Sequence, residues 1–579
     1  MKMRYILVIT LCTLLAVAWY FRDSGFLVQQ QDAAFLVPRD AIFFAEQKDI
    51  GTLLESVQKS RLGKALASID FQQIGQDVGL SQDDLSTLQQ TLDVVKELSS
   101  NKLFREFCGK SVALALLPTD SVPTAGAVVK SPPSHFQALL IAKPQHKAEI
   151  FELISSMYSG DVQQTETVYE NFTIKHLQVE DTTIFAAIVD GFFLLSMDEQ
   201  TLRRALDASR QADKSLAKNE AFEKLKKQFL KPELMVFCAL DGLRQQLAQM
   251  VNQGFSSIPK EFADQLASTT GLQYSAYGIW RDKGLLRDLS ITLVDPAKFG
   301  PFIGQMFSIS PEHNDTLGFV PENIVTYYWS NTFALSSMWK MYVEKNKADT
   351  TEINKFKILF KKNTGRDVPE VLSLIDGGMS LLMKNGDPKA FLPLPHFAIL
   401  IKLKDRKAME NLLRTVVVEH GIPLQDTTYK KVTYSSYAFT LQGGLEALYG
   451  FQDNFLILAN SSDVMQDIID ARESGKGLQA GKAYAKMDIN LEEGNNSVSF
   501  IRMAELIDGI KEVLGWGGAM LAVQDRETAE KTRVIIGKLI NPLLDGMTMV
   551  STISTRSHLT REQIVVESTI LLKPTQETH

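Results

Sequence analysis

The sequence predicts an α+β protein: an N-terminal transmembrane helix followed by two homologous modules, each an antiparallel sheet covered by helices. The first observation behind this is a repeat. Asp190-Gly191-Phe192-Phe193-Leu194-Leu195-Ser196 returns as Asp453-Asn454-Phe455-Leu456-Ile457-Leu458-Ala459, 263 positions on. The second is a set of residues behind each copy, matched at that same spacing: Leu202, Ala205, Leu206, Asp207 and Ala208, then Met465, Ile468, Ile469, Asp470 and Ala471. The third is that β-like and helical runs recur in one order on both sides of residues 297–317. A fixed self-similarity of this kind decides the architecture before any local assignment does.

Lys2 and Arg4 precede an unbroken apolar or small run from Tyr5 to Phe21, closed by Arg22 and Asp23. Its length sits at the lower limit for a membrane-spanning helix. Trp19, Tyr20 and Phe21 beside Arg22 suit an interfacial aromatic belt, and Lys2 and Arg4 favour a cytoplasmic N-terminus. Residues 1–21 are therefore expected to be a retained anchor. The alternative is a cleaved signal peptide with Ala16-Val17-Ala18 at the cut, against which stand the bulky Trp19 and the apolarity beyond it. Either way, residues 24–579 are expected in the periplasm or another extracytoplasmic space. Residues 22–33 form a polar tether.

The first module, residues 34–296, opens at Phe35-Leu36-Val37-Pro38-Arg39-Asp40. The second, residues 318–574, opens at Gly318-Phe319-Val320-Pro321-Glu322-Asn323, so Pro38 maps to Pro321. A β-like run comes after each opening (41–45 and 324–329), then a helix with apolar residues at three-to-four spacing: Ile50, Leu53, Leu54 and Val57 against Phe333, Met338, Met341 and Tyr342. The next polar, helical stretch differs between copies. Ser81-Gln82-Asp83-Asp84 is a helix start in the first. Thr364-Gly365-Arg366-Asp367-Val368-Pro369 and a short helix through Leu372 stand in the second.

Strands are then expected at 111–117 and 379–383. Another pair begins at His135-Phe136 and His396-Phe397, with the two histidines taken as equivalent. Helices from Lys147 and Lys407 lead to strands 168–179 and 182–188, matched by 429–440 and 445–451. The Asp190-Gly191 and Asp453-Asn454 pairs fall between apolar runs and read as hairpin turns, since Gly and Asn accept positive φ. Strand–helix units 234–250 and 498–513 come next. A long hairpin closes each module: 272–280 with 285–294, and 547–555 with 564–572. Residues 297–317 are the linker and 575–579 a tail. The mixture of alternating and continuous apolar strands suits sheets covered by helices.

A Val-Pro-Asp-like opening, the Gly365–Gly378 segment, and Asp-Gly-Phe-Phe-Leu-Leu-Ser before a helix ending in Asp-Ala resemble a bacterial family. It is the group known as domain of unknown function three-three-five-two. The resemblance implies exported or membrane-tethered proteins with duplicated α+β modules, and brings no catalytic residue with it.

At 579 residues the chain exceeds a single core. Its 45% hydrophobic and 22% charged residues are those of a globular protein. A net charge of −7, with no basic block interleaved with aromatics, disfavours a nucleic-acid surface. Cys12 lies in the anchor. Cys108 and Cys238, whose counterparts are taken as Gly377 and Ile501, could pair in an oxidising compartment, but each sits among apolar strand-like residues and reads as a small buried hydrophobe.

No constellation points to chemistry. Gly109-Lys110-Ser111 has Phe104 where a phosphate loop needs glycine, and it leads into a strand. Gly475-Lys476-Gly477 and Gly515-Trp516-Gly517-Gly518 are expected at loops or helix ends. His135 and His396 open strands, Asp190 and Asp453 serve turns, and Lys224–Lys231 is a solvated helix face. The expectation is that the chain is not an enzyme and has no catalytic, cofactor or metal residue. It is instead a membrane-anchored interaction or scaffold protein, its partners the membrane through residues 5–21, other envelope proteins and no nucleic acid. The alternative is a periplasmic carrier or chaperone for lipid or another hydrophobic ligand, since helix-covered sheets can enclose apolar cavities.

Overall fold

The computed structural model describes residues 32–573 except 88, 91–108, 119–135, 145–162, 180–181, 253–268, 334, 348–349, 388–392, 438–445, 488, 493 and 525. The expected anchor, Cys12, Cys108, His135 and the tail therefore lie outside the described residues. Two compact units divide the chain: 1–67, 71–281 and 288–299 in the first, and 68–70, 282–287 and 300–579 in the second.

The first unit carries β1 (Phe43–Lys48), β2 (Ser111–Pro118), β3 (Phe136–Lys143), β4 (Gln163–Tyr169), β5 (Phe172–Val179), β6 (Thr182–Val189), β7 (Phe192–Ser196), β8 (Leu234–Ala239), β9 (Leu272–Asp282) and β10 (Leu285–Val294). Antiparallel ladders join them in the order β10-β9-β8-β1-β2-β3-β7-β6-β5-β4. Phe44 on central β1 stands opposite Ala115 and Phe237, and all three are buried. Helix α1 (Ile50–Lys59) buries Ile50, Leu53 and Leu54. The helix Glu199–Arg210, α2 here, starts on the Asp198 side chain, which accepts from Thr201 N–H at 2.7 Å, an N-cap of the ordinary kind. It buries Leu202, Ala205, Leu206 and Ala208, the apolar residues that mark the repeat.

The second unit carries β11 (Thr326–Ser330), β12 (Ile375–Lys384), β13 (His396–Leu403), β14 (Leu424–Tyr429), β15 (Val432–Tyr437), β16 (Leu448–Gln452), β17 (Phe455–Ala459), β18 (Ser497–Arg502), β19 (Val550–Leu559) and β20 (Gln563–Leu572). Their order is β20-β19-β18-β11-β12-β13-β17-β16-β15-β14, the same order as in the first unit once each strand number is reduced by ten. Three of its helices bear on the site: α3 (Leu335–Lys345), α4 (Thr351–Thr364) and α5 (Ser462–Ser474). Helix α5 buries Val464, Met465, Ile468 and Ile469 against Trp329, Tyr327, Phe319 and Phe500. Each such buried side chain is worth about 1.5–3 kcal/mol of transfer free energy.

The ladders correct one sequence alignment. From Phe44 through Ala115 and Leu139 to Ser196, the first unit matches Tyr327, Leu382, Ala398 and Ala459 in the second. Leu139 thus corresponds to Ala398, and His396 corresponds to Gln137 rather than His135. Matching the histidines slides the strand by two residues. Because side chains alternate faces with period two, a two-residue slip keeps every apolar residue inward and goes unnoticed in the sequence.

Three further differences concern boundaries. Gly515-Trp516-Gly517-Gly518 lies inside a helix, Met503–Gln524, not at a loop or helix end. A Cβ at Gly518 would make only ordinary contact with Ile536 Cδ1, at 3.6 Å, so packing does not require these glycines. Met547 ends the helix Asn541–Met547, and β19 begins only at Val550. Asn314 and Thr316, expected in the linker, are buried in the second unit's core.

Candidate functional site

The most specific feature shared by both units is structural. The hydroxyl of Tyr169, the last residue of β4, donates to Asp207 on α2 at 3.1 Å. Tyr429, the last residue of β14, donates to Asp470 on α5 at the same distance. The tight turn beside each tyrosine holds Glu170 and Lys430 at positive φ. Glu170 pairs with Arg210, while Lys430 pairs with Glu473 at 3.7 Å, so the two ends of the ion pair have exchanged sign. Asp207 and Asp470 therefore fasten a hairpin to a helix.

Other sequence candidates also have structural positions. Asp190 and Asp453 are the hairpin residues at positive φ; in the second copy it is the aspartate and not Asn454 that takes it. Gly475 caps α5 in the left-handed region at φ 64°, and a Cβ at Gly477 would stand 2.5 Å from Val320 O. Lys110 N–H donates to Lys143 O in the turn before β2. His396 opens β13 opposite Lys384, and burial pushes its pKa below the ordinary value. Lys226 pairs with Asp32, and Lys227 with Glu223 at 3.0 Å. Cys238 carries a free thiol that burial pushes up to about 11. Among the described residues no group of three His, Cys, Asp or Glu side chains is placed to hold a metal.

Two buried polar features separate the units. In the second, Tyr327 OH donates to Asn314 Oδ1 at 3.0 Å and lies 2.8 Å from Thr316 Oγ1. Thr316 Oγ1 in turn lies 2.6 Å from Ser380 Oγ. In the first unit, Phe44, Ala33 and Ala113 take the places of Tyr327, Thr316 and Ser380. Conversely, Glu46 is buried on β1 where the second unit has Trp329. Burial raises its pKa, against the pull of Lys48, a hydrogen bond from the Ala33 backbone, and Lys143.

The first unit has a polar cleft of about 630 Å³ lined by Arg39, Asp40, Arg204, Asp207, Lys214 and Asn219 among others. Its charges are largely spent on each other: Arg204 meets Asp40 at 2.5 Å and Lys214 meets Asp207 at 4.0 Å. The second unit has an apolar cleft of about 620 Å³ bounded by Leu514, Gly518, Ala519, Ile536, Glu530 and Arg533, among others.

The surface that stands out is α3 with α4. Helix α3 buries none of its residues and α4 buries only Ile353. Ile358 is 71% exposed, Leu359 57%, Tyr342 51% and Phe356 47%, with Met338 and Met341 also exposed. Trp339 on α3 joins the helices through its ring contact with Phe356 on α4 at 5.6 Å, and it lies 6.0 Å from Tyr342 on its own helix. In the first unit the segment after β1 buries Ile50, Leu53, Leu54, Ile74 and Leu85 instead. Met338, Met341 and Tyr342 were visible in the sequence as apolar residues at helical spacing. Phe356, Ile358 and Leu359 carry no periodicity that separates an inner from an outer face, so sequence reasoning missed them.

No curated protein matches this chain. Among solved structures, crystal form III of TP0453 aligns with a TM-score of 0.22 and 10% identity, over 49% of this chain and 90% of that one. Crystal form IV aligns with a TM-score of 0.23 and 12% identity, over 46% and 81%. The model of one family matches residues 5–511, and it is the family that the sequence motifs resemble. The chain belongs to the family described as protein of unknown function (DUF3352).

Proposed function

We propose that this chain is a membrane-tethered, non-enzymatic interaction protein: two copies of one sheet-and-helix module, the second of which docks through α3 and α4. The observation that carries this is the bare apolar surface of that helix pair. Soluble monomers rarely leave contiguous apolar patches without a partner, and exposed Met beside aromatic residues is the composition of adaptable docking faces. The helix that follows the first strand of the first unit, α1, instead seats Ile50, Leu53 and Leu54 in the core, whereas its counterpart α3 buries no residue. The anchor is residues 5–21, whose apolar run, preceded by Lys2 and Arg4 and closed by aromatic residues, fits a membrane-spanning helix. Among the described residues no helix is long and apolar enough to cross a membrane. The repeated polar groups, Tyr169–Asp207 and Tyr429–Asp470, fasten hairpins to helices.

Photo-crosslinking in native membranes, from probes placed at 358 and 359, tests the reading. Adducts from these positions, and none from a probe at exposed Leu80 of the first unit, support it. Absence of adducts at 358 and 359 removes it. A carrier role is the second reading, favoured by the apolar cleft that Leu514, Ala519 and Ile536 help to line. Copurified lipid in native mass spectra, lost on Gly518→Trp, would establish that role in place of docking.

A further inference from the structure

We infer that what α3 and α4 dock onto is an anionic lipid surface, an inference that rests on the helix pair being the docking face. Four observations select a lipid surface. Residues 335–364 contain seven lysines and three acidic residues, a local balance of +4 in a chain whose net charge is −7. The lysines flank the bare apolar residues: on a helix, positions three and four apart are neighbours, which sets Lys355, Lys361 and Lys362 around Ile358 and Leu359. Lys347, Lys355 and Lys361 pair with Glu344, Glu352 and Asp367 at 3.3, 2.7 and 3.2 Å. Lys340, Lys345, Lys357 and Lys362 have no ion-pair partner among the described residues.

The aromatic residues are of the interfacial kind. Trp339 and Tyr342 have an apolar body and a polar tip, and lysine stems lie along apolar surface while their heads stay in water. Finally, the helices are short. At 11 and 14 residues they are roughly 17 and 21 Å long, too short for a hydrocarbon core of about 30 Å. They lie in the plane of the interface, with Ile358 and Leu359 at the acyl boundary and the lysines among headgroups. A groove on another protein would also accept the apolar residues, but it would leave this ring of lysines needing a matching ring of acids; an anionic lipid surface supplies that charge at every orientation.

Hydrogen exchange of the full-length protein incubated with lipid nanodiscs tests this, one disc type of phosphatidylcholine alone and one mixed with phosphatidylglycerol. Peptides spanning 335–364 are expected to exchange about tenfold slower with the anionic discs only, an effect removed by high salt. Lys355→Glu/Lys362→Glu is expected to weaken binding by about fivefold or more per lysine, with first-unit peptides unchanged as the control for folding. Equal exchange with both disc types overturns the inference. If that happens while a protein still crosslinks to 358 and 359, the docking reading stands and only the lipid is wrong. Absence of both removes the two together.

Discussion

Tyr327→Phe deletes one hydroxyl from the fully buried cluster Asn314–Thr316–Tyr327–Ser380. The hydroxyl donates to Asn314 Oδ1 at 3.0 Å and lies 2.8 Å from Thr316 Oγ1. The groups left behind keep partners: Asn314 Oδ1 still accepts from Thr316 N–H and Oγ1, at 3.3 and 2.9 Å, and Thr316 Oγ1 still meets Ser380 Oγ. No atom is orphaned, so the cost is that of net hydrogen bonds, about 1–2 kcal/mol, or roughly 2–6 °C in the second unit's thermal transition. Phe44, Ala33 and Ala113 show that the same three places can be apolar. The triple variant Tyr327→Phe/Thr316→Ala/Ser380→Ala should therefore cost at least about 1 kcal/mol less than the sum of the three single changes. Urea titration of each variant, followed by tryptophan fluorescence, measures all four values. Strict additivity would refute the reasoning, because it would mean that the cluster does not act as a unit.

Three other outcomes rest on the same geometry. Glu46 has a folded pKa above its unfolded value, so the folded state holds its proton more tightly, and stability falls as pH rises from the unfolded pKa through the folded one. Glu46→Gln removes that loss: the variant should melt higher than the parent at neutral pH, with the gap closing as pH falls to the ordinary glutamate range; a gap that widens on acidification contradicts the assignment. Cys238, pushed up to about 11 by burial, should alkylate about a hundredfold more slowly than an ordinary thiol at pH 8, read from its own peptide by mass spectrometry, and a rate like that of free cysteine would show the site to be open. Tyr169→Phe and Tyr429→Phe should each speed amide exchange in their own hairpin, β4–β5 or β14–β15, with little change elsewhere; an effect in one copy alone would mean that the matched hydrogen bonds are not equivalent.

Much of the fold was legible because its signals are local. The Asp-Gly and Asp-Asn turns, the apolar strands behind them and the Leu202/Leu206 and Met465/Ile469 spacings each follow from backbone sterics or helical periodicity. Register was not legible at β3 and β13, since a slip of two residues preserves the alternation on which a sequence comparison depends. Asn314 and Thr316 looked like linker residues because the partners that justify their burial, Tyr327, Ser380 and the Leu491 carbonyl, lie 11 or more residues away. The glycines at 515, 517 and 518 looked like a helix end because glycine disfavours a helix interior, and their place inside the helix Met503–Gln524 has no packing explanation. The candidate site was the least legible part. Seven lysines and several apolar side chains in one segment are as consistent with a covered helix as with a bare one, and tertiary packing alone separates the two.

Hydrogen exchange of the free protein, resolved by peptide, bears most directly on the proposal of one module present twice, with the helix after its first strand seated in only one copy. The account predicts matching protection in corresponding strands, slowest at β1–β3 and β11–β13, together with much faster exchange in 335–364 than in 50–59. Protection of 335–364 equal to that of 50–59, or dissimilar strand profiles in the two units, would contradict it.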